Sequence, residues 1–290
     1  MTDPSCPLCE NSKPRLHYSL QNKRVFWCHL CHLFFIDPLP DPLRLRTYYE
    51  GTASEFEATY FESFQNHRFR SFAKGLDLLS KWNRRGRLLD VGTGLGFFLK
   101  QAHEASWEVE GLELSGKVAA YAKQTLGVPV HVGTLEDVPL EANQYQAVTL
   151  WDAIEHLPDP KSTLLRIRDL LAPQGVVVIR TPVCDSLIPW VLGFFYRVSL
   201  GRIRSGFERL FKEHLFHFSE EGIRQLVERC GFRILQVYRE DYIDPQALAH
   251  KEWTRNPLVR LGASWILGAS RLLRQQDEIV MYAEATPVAA

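Results

Sequence analysis

From Arg87 onward the chain alternates compact apolar runs with amphipathic ones. RLLDV, EVEGLEL, PVHV, YQAVTLW, GVVVIRT, FRILQVYRE and EIVMYAEA are rich in β-branched and aromatic residues and read as strands. FFLKQAHEA, KVAAYAKQTL, PKSTLLRIRDLLA, SEEGIRQLVERC and a late segment containing RLGASWILGASRLLR read as helices. This alternation predicts an α/β fold, a mostly parallel sheet with helices on both faces. Upstream, Thr52 to Trp82 is helical in pattern, with Phe69, Phe72, Leu76 and Leu79 on one apolar face. Residues 1–45 read instead as short strands and turns ending in the proline-rich DPLPDP, a small module with a linker behind it. Residues 182–217 also break the alternation. They combine Trp190, Phe194, Phe195, Tyr196 and Phe207 with Arg197, Arg202, Arg204, Arg209 and Lys212. In doubly wound folds, excursions from a strand's C-terminal end often cover the active site.

The 290 residues suffice for one large domain or two smaller ones. A formal net charge of zero gives no global pull toward nucleic acid or an anionic surface, and none is expected with nucleic acid. The start, MTDPSCPLCENSKP, lacks the apolar core of a secretory signal. SLIPWVLGFFYRVSL falls short of the ~18 apolar residues of a spanning helix and is broken by Pro189. A cytoplasmic protein is expected, with peripheral membrane contact open through the basic-aromatic insert.

Cys6-Pro-Leu-Cys9 and Cys28-His-Leu-Cys31 lie eighteen residues apart. Two thiolates three positions apart reach one ion from a tight turn, and two such turns complete a tetrahedral Zn2+ site. Four thiolates leave no position for substrate, so the expected zinc ribbon is structural. Glu10 and His32 stand where zinc knuckles often carry glycine.

In LLDVGTGLGFFL, a strand ends in Asp90 and passes through Gly92, Thr93, Gly94 and Gly96 into a helix start. Glycines admit a ligand close to the backbone, and the helix offers unpaired N–H groups. A dinucleotide turn would read GxGxxG and receive a pyrophosphate. Here the spacing is GxGxG, and the preceding acid suits a ligand with a positive end. Glu113 closes the next strand about twenty residues on, where an acid can accept from ribose hydroxyls.

DVGTGLG resembles the first motif of class I S-adenosylmethionine-dependent methyltransferases, a family whose glycine turn lines the methionine part of the cofactor. The resemblance covers residues 86 to about 240 in order, and a zinc ribbon precedes this domain in bacterial relatives acting on small molecules and sugars. It implies that Asp90 helps hold the cofactor's amino group, that Glu113 and Leu114 border the ribose, and that Thr134 and Leu135 in HVGTLEDVPL border the adenine. Thr134 replaces the family's frequent aspartate. Trp151 and Asp152 in YQAVTLWDAIEHLPDP are placed at the methyl side. The implied fold is Rossmann-like, a doubly wound seven-stranded sheet with an antiparallel last strand.

The catalytic candidates are Glu155 and His156 of DAIEH and His214 of EHLFHFS, where His217 lies close by. His156 suits a general base. DAIEH is similar to the ExxEH segment of quinone O-methyltransferases, so Asp152, Glu155 and His156 are also candidate ligands of a divalent cation. Alternatively, Glu155 and His156 only brace neighbouring loops. The expected organisation is a ribbon over 1–45, a linker with helices covering the cofactor site over 46–85, and a methyltransferase domain over 86–290. The expected function is O- or C-methylation of a small molecule of anionic or partly apolar character, namely a sugar, a quinone-like compound or a lipid-linked intermediate. The alternative is a non-catalytic cofactor-binding module whose ribbon meets a protein partner. A nicotinamide enzyme is disfavoured because GxGxxG is absent.

Overall fold

The computed structural model describes residues 3–11, 13–20, 23–41, 43–51, 65–82, 85–199, 211, 214–241 and 257–286. Three strands come first: β1 (Arg15–Ser19), β2 (Arg24–Cys28) and β3 (Leu33–Asp37). Residues 43–51 are helical, and α1 (Gln65–Lys81) follows. The alternating part then runs β4 (Arg87–Val91), α2 (Phe97–Glu104), β5 (Glu108–Glu113), α3 (Gly116–Leu126), β6 (Val130–Val132) and β7 (Tyr145–Trp151). A single 3-10 turn, Ile154–His156, leads to α4 (Pro160–Leu170) and β8 (Leu171–Pro182). The insert contains α5 (Leu187–Val198) and β9 (Phe216–Phe218), and α6 (Glu220–Arg229), β10 (Phe232–Glu240), α7 (Pro257–Leu272) and β11 (Glu278–Ala285) complete the chain. Residues 52–64 of the expected helix, and Arg202, Arg204, Phe207, Arg209 and Lys212 of the insert, lie outside the described residues.

Seven strands form one sheet in the order β10-β11-β8-β7-β4-β5-β6, with β11 antiparallel to both neighbours and the rest parallel. This is the expected fold. The central strands read as uninterrupted apolar runs because helices cover both faces. Helix starts obey local chemistry. Asp159 accepts from the Ser162 N–H with Pro160 in the first turn, Ser115 accepts from the Val118 N–H, and Ser219 accepts from the Gly222 N–H.

The N-terminal strands are not set apart from this body. β1, β2 and β3 make an antiparallel sheet, and β9 adds a fourth strand against β3, pairing Leu33 with Phe218 and Phe35 with Phe216. An edge strand leaves a row of N–H and C=O groups unpaired, and β9 satisfies it. Val25, Phe26, Leu33 and Phe35 bury into the same contiguous core as Phe216, Phe218 and Ile223. The second cysteine knuckle also sits on the start of α6. Ser219 donates both its N–H and its hydroxyl to the His32 carbonyl, at 3.0 and 2.6 Å. A Cβ on Gly222 would stand 2.5 Å from the His32 oxygen and 2.6 Å from the Cys31 oxygen. Those atoms are backbone and cannot swing aside. Gly222→Ala is therefore expected to destabilise the protein by at least about 1–3 kcal/mol, the range for overpacking. Thermal unfolding of the two proteins checks this, and an unchanged midpoint would refute the close seat of the knuckle.

Candidate functional site

The glycine turn stands at the C-terminal edge of β4, between β5 and β7. Gly92, Gly94 and Gly96 have φ values of 76°, 55° and 81°, a region that glycine enters without strain. Around the Cβ direction of Gly94 there is no atom within 4 Å, so the turn faces open space. Asp90 lies beneath it, buried, with its Oδ1 accepting from the Thr149 hydroxyl at 2.6 Å. Burial pushes the Asp90 carboxyl up to about 7 against the lowering effect of the Thr149 and Thr93 hydroxyls. Glu113 comes to the same place from β5. Its carboxylate accepts from the Gly94 N–H and the Ser115 N–H, both at 2.9 Å, and burial raises its pKa. Leu114 follows it half-buried, and the loop after β6 returns beside it through the Gly133 N–H to the Glu113 carbonyl, at 3.0 Å. In that loop Thr134 and Asp137 exchange side-chain-to-backbone hydrogen bonds, and Leu135 is buried.

These residues fit S-adenosylmethionine on three observations. The glycine cradle is open, a buried carboxyl stands ready for an ammonium group, and an acid at the end of the second strand borders the turn. Sequence reasoning missed Glu50, whose carboxylate accepts from the Gly116 N–H at 2.6 Å and the Ser115 hydroxyl at 3.2 Å. An acid at the α3 N-terminus meets the positive end of the helix dipole. Glu50 sits in the RTYYEG segment, but nothing local to it announces a partner 66 positions away.

Two methyl-side expectations change. Trp151 turns its indole into the core, against Phe72 at 4.9 Å and Phe98 at 5.1 Å between ring centroids. The ring packs under α1, where a Cβ on Gly75 would lie 3.0 Å from it. Asp152, grouped in the sequence with Glu155 and His156, is held elsewhere. Both its oxygens lie 2.6 Å from Arg180 Nη1, and Arg68 of α1 reaches it at 2.9 Å. Burial would raise the Asp152 carboxyl, but Arg180 and Arg68 hold it below its usual value. Arg180 is fully buried and also lies 2.7 Å from Glu278. Its signal in the sequence was a lone charge inside the apolar run GVVVIRT, which a buried strand tolerates only when paired.

His214 takes the place beside Glu155 and His156. The ligand atoms of these three residues lie within 4.8 Å of one another. The rings of His156 and His214 meet edge to face at 4.8 Å, and the Leu215 N–H donates to the Glu155 carbonyl at 2.9 Å. Glu155 is buried, with Oε2 accepting from the Thr181 hydroxyl at 2.9 Å and Oε1 without a hydrogen-bond partner. Burial and then the Asp152 charge push its carboxyl up to about 8. Burial and then His156 push His214 down to about 3, so His214 is neutral at physiological pH. The DAIEH segment folds as a short 3-10 turn, entered through a positive φ of 53° at Asp152. The group adjoins the cofactor turn, since a Cβ on Gly92 would stand 3.0 Å from that of Ala153.

The four N-terminal cysteines also converge. Cys6 and Cys31 sulfurs are 3.9 Å apart, and those of Cys9 and Cys28 are 3.6 Å apart. All four lie within 4.8 Å. A tetrahedral zinc with bonds of about 2.3 Å spaces its sulfurs about 3.8 Å apart, so the set fits one ion. Glu10 and His32, where glycine was expected, take φ values of 57° and 48° and adopt the glycine-like conformation.

Cofactor binding is expected to be proton-linked. An ammonium group beside Asp90 favours its ionised form, so binding lowers a carboxyl that starts near 7 and releases a proton. Affinity for S-adenosylmethionine should fall as pH drops from about 7 to 5.5, approaching tenfold per unit, and level off above. Calorimetric titration across that range measures it, and a flat profile would refute the assignment of Asp90. Separately, metal analysis of the purified protein should find one zinc per chain, lost when Cys6→Ser and Cys31→Ser are combined. A metal-free native protein would remove the ribbon ion.

Comparison with known proteins agrees with this geometry. The methyltransferase domain family matches residues 64–237. A ubiquinone biosynthesis O-methyltransferase of Haemophilus ducreyi is 31% identical over 105 residues, which cover 33% of this chain and 44% of that protein. The chain thus spans less than half the length of such curated relatives. Among solved structures, a chain of the complex between the Haloferax volcanii Trm112 methyltransferase activator and a methyltransferase superposes with a TM-score of 0.59 at 16% identity, covering 85% of this chain and 99% of that one. Burkholderia thailandensis 1,6-didemethyltoxoflavin-N1-methyltransferase, solved with S-adenosylhomocysteine, superposes with a TM-score of 0.56 at 15% identity over 94% of this chain and all of the other. At these identities the superpositions speak for the fold. With the family matched over more than half its length, the chain belongs to the methyltransferase domain family, on the fold of the class I S-adenosylmethionine-dependent methyltransferases.

Proposed function

We propose that this protein methylates an oxygen or carbon atom of a small molecule, with a sugar, a quinone-like compound or a lipid-linked intermediate as the acceptor class. The single observation that carries the reading is the adjacency of two clusters on one sheet edge. Asp90, Gly94 and Glu113 suit the cofactor, and one residue beyond Gly92's neighbour Ala153 begins the turn that presents Glu155 and His156. S-adenosylmethionine supplies an activated methyl group, so the chain's task is alignment, exclusion of water and acceptance of a proton.

In this reading Asp90 holds the ammonium end and Glu113 the ribose, while Leu114, Thr134 and Leu135 border the adenosine. Trp151 contributes backbone, since its ring is committed to the core. His156 takes the acceptor's proton at a ring nitrogen. Neutral His214 and the buried Glu155 fix its position and keep the pocket closed to water. The ion-paired Asp152 holds the turn in place. The helical residues 43–51 cover this edge, because Glu50 reaches the start of α3 while the Tyr49 ring stands 6.3 Å from that of His156.

A second reading is favoured by one feature, the unpartnered Glu155 Oε1. With His156 and His214 it could bind a divalent cation that lowers the pKa of an acceptor hydroxyl. The ligand set then contains His214 rather than Asp152. The rival reading is a non-catalytic cofactor-binding module, and the cluster of Glu155, His156 and His214 beside the cofactor turn opposes it.

Labelled methyl transfer from S-adenosylmethionine into host extracts, with mass identification of products, tests the proposal. No incorporation into any small molecule would overturn it. With the acceptor in hand, His156→Gln should lower kcat by about 100-fold to 10,000-fold with cofactor affinity unchanged. Glu113→Ala should instead abolish cofactor binding. Activity lost in both variants through cofactor binding alone would remove His156 from the proton transfer.

A further inference from the structure

α5 and α7 pack against each other beside the edge of the sheet where β8 ends, with the Leu187 N–H donating to the Gln275 carbonyl at 3.2 Å. Each helix turns an apolar face outward. On α5, Trp190, Phe194 and Val198 follow at intervals of four, one face of a helix, and are 67%, 51% and 65% exposed. The Trp190 and Phe194 rings stack at 6.1 Å. On α7, Leu261, Trp265 and Leu272 share a face and are 57%, 74% and 84% exposed, while Leu267 and Ser270 on the opposite side are buried. Leu273 extends that exposed face, at 60%. Single exposed hydrophobes are ordinary, but two tryptophans and five more large exposed side chains on or next to two helices in contact are not.

The charge of the same segments is lopsided. Within the described residues, 187–199 hold one basic residue and no acid, and 257–274 hold three basic residues and no acid. Arg271 is partly answered by Asp241, at 2.5 Å. The rest of the chain offsets this surplus, since the formal net charge of the whole is zero. A second copy of this surface would bring basic charge against basic charge, which disfavours self-association through it. Tryptophans on an apolar face, in segments with a basic surplus, match the boundary of an anionic bilayer. Among the described residues no helix is long and apolar enough to cross a membrane, so these helices would lie in the interface.

We propose that α5 and α7 form a docking surface for an anionic lipid bilayer, with Trp190 and Trp265 as its anchors. β8 leads directly into α5, and the chain returns from the insert at His214. The inference does not depend on which atom is methylated.

The test is co-sedimentation of the full-length protein with phosphatidylcholine vesicles and with vesicles in which about a third of the lipid is phosphatidylglycerol. Binding should appear on the anionic vesicles, be much weaker on the neutral ones, and fall as salt is raised. Combining Trp190→Ser and Trp265→Ser should lower the partition coefficient at least about tenfold. Neither residue belongs to the cofactor site, so S-adenosylmethionine affinity should stay at the parental value and confirm that the variant is folded. No binding to either vesicle, or an undiminished double variant, overturns the proposal. Equal binding to neutral vesicles overturns the anionic assignment. A lipid-free dimer that dissociates in the double variant gives the surface to a second copy instead.

Discussion

A buried guanidinium organises the middle of this protein. Arg180 sits inside β8 with no exposed surface, and its charge is answered by Asp152 at the end of β7 and Glu278 on β11. Glu240 on β10 approaches it at 3.8 Å. Arg68 then joins Asp152 from α1, so one cluster ties four strands to the helix above them. Removing one member of such a group costs about 3–5 kcal/mol, because its partners remain buried and charged. The pairing also shapes the candidate site. It holds Asp152 at a positive φ, and that bend sends the chain into the turn that carries Glu155 and His156.

The N-terminal sheet belongs to the same construction. β9 links it to the candidate site, since the residue before β9, Leu215, donates to the Glu155 carbonyl and accepts from the Ile36 N–H. The cysteine knuckle rests on the start of α6 one strand later. The order of the cysteine group is therefore mechanically connected to His214. A structural ion at the four sulfurs would stiffen the wall of the acceptor side without touching substrate.

Two kinds of electrostatic environment meet at the sheet edge. On one side Asp90 is buried and Glu113 half-buried, both with raised pKa values, and Asp90 suits a positive ligand. On the other, Asp152 is fully compensated by arginines, and the uncompensated Glu155 shares its pocket with two histidines. In-line transfer from a sulfonium needs both, a site that fixes the donor and a separate one that disposes of a proton.

Much of this was legible in the order of residues. Alternating strand and helix patterns imply the parallel sheet, because each period fits only one element and short connections leave few topologies. The glycine spacing, Asp90, Glu113 and the cysteine pairs lie close in sequence and state their geometry locally. What the tertiary structure alone decided are contacts between distant segments. Asp152 looked like a partner of Glu155 and His156 until Arg180 and Arg68 claimed it, and His214 came in from 59 positions beyond Glu155. Trp151 looked like a cofactor contact until α1 packed on its ring. The ribbon looked separate until β9 completed its sheet. Local propensity and spacing describe what a residue can do. Which partner it takes depends on burial, where an unmatched charge or an open strand edge must be satisfied by whatever the fold brings near.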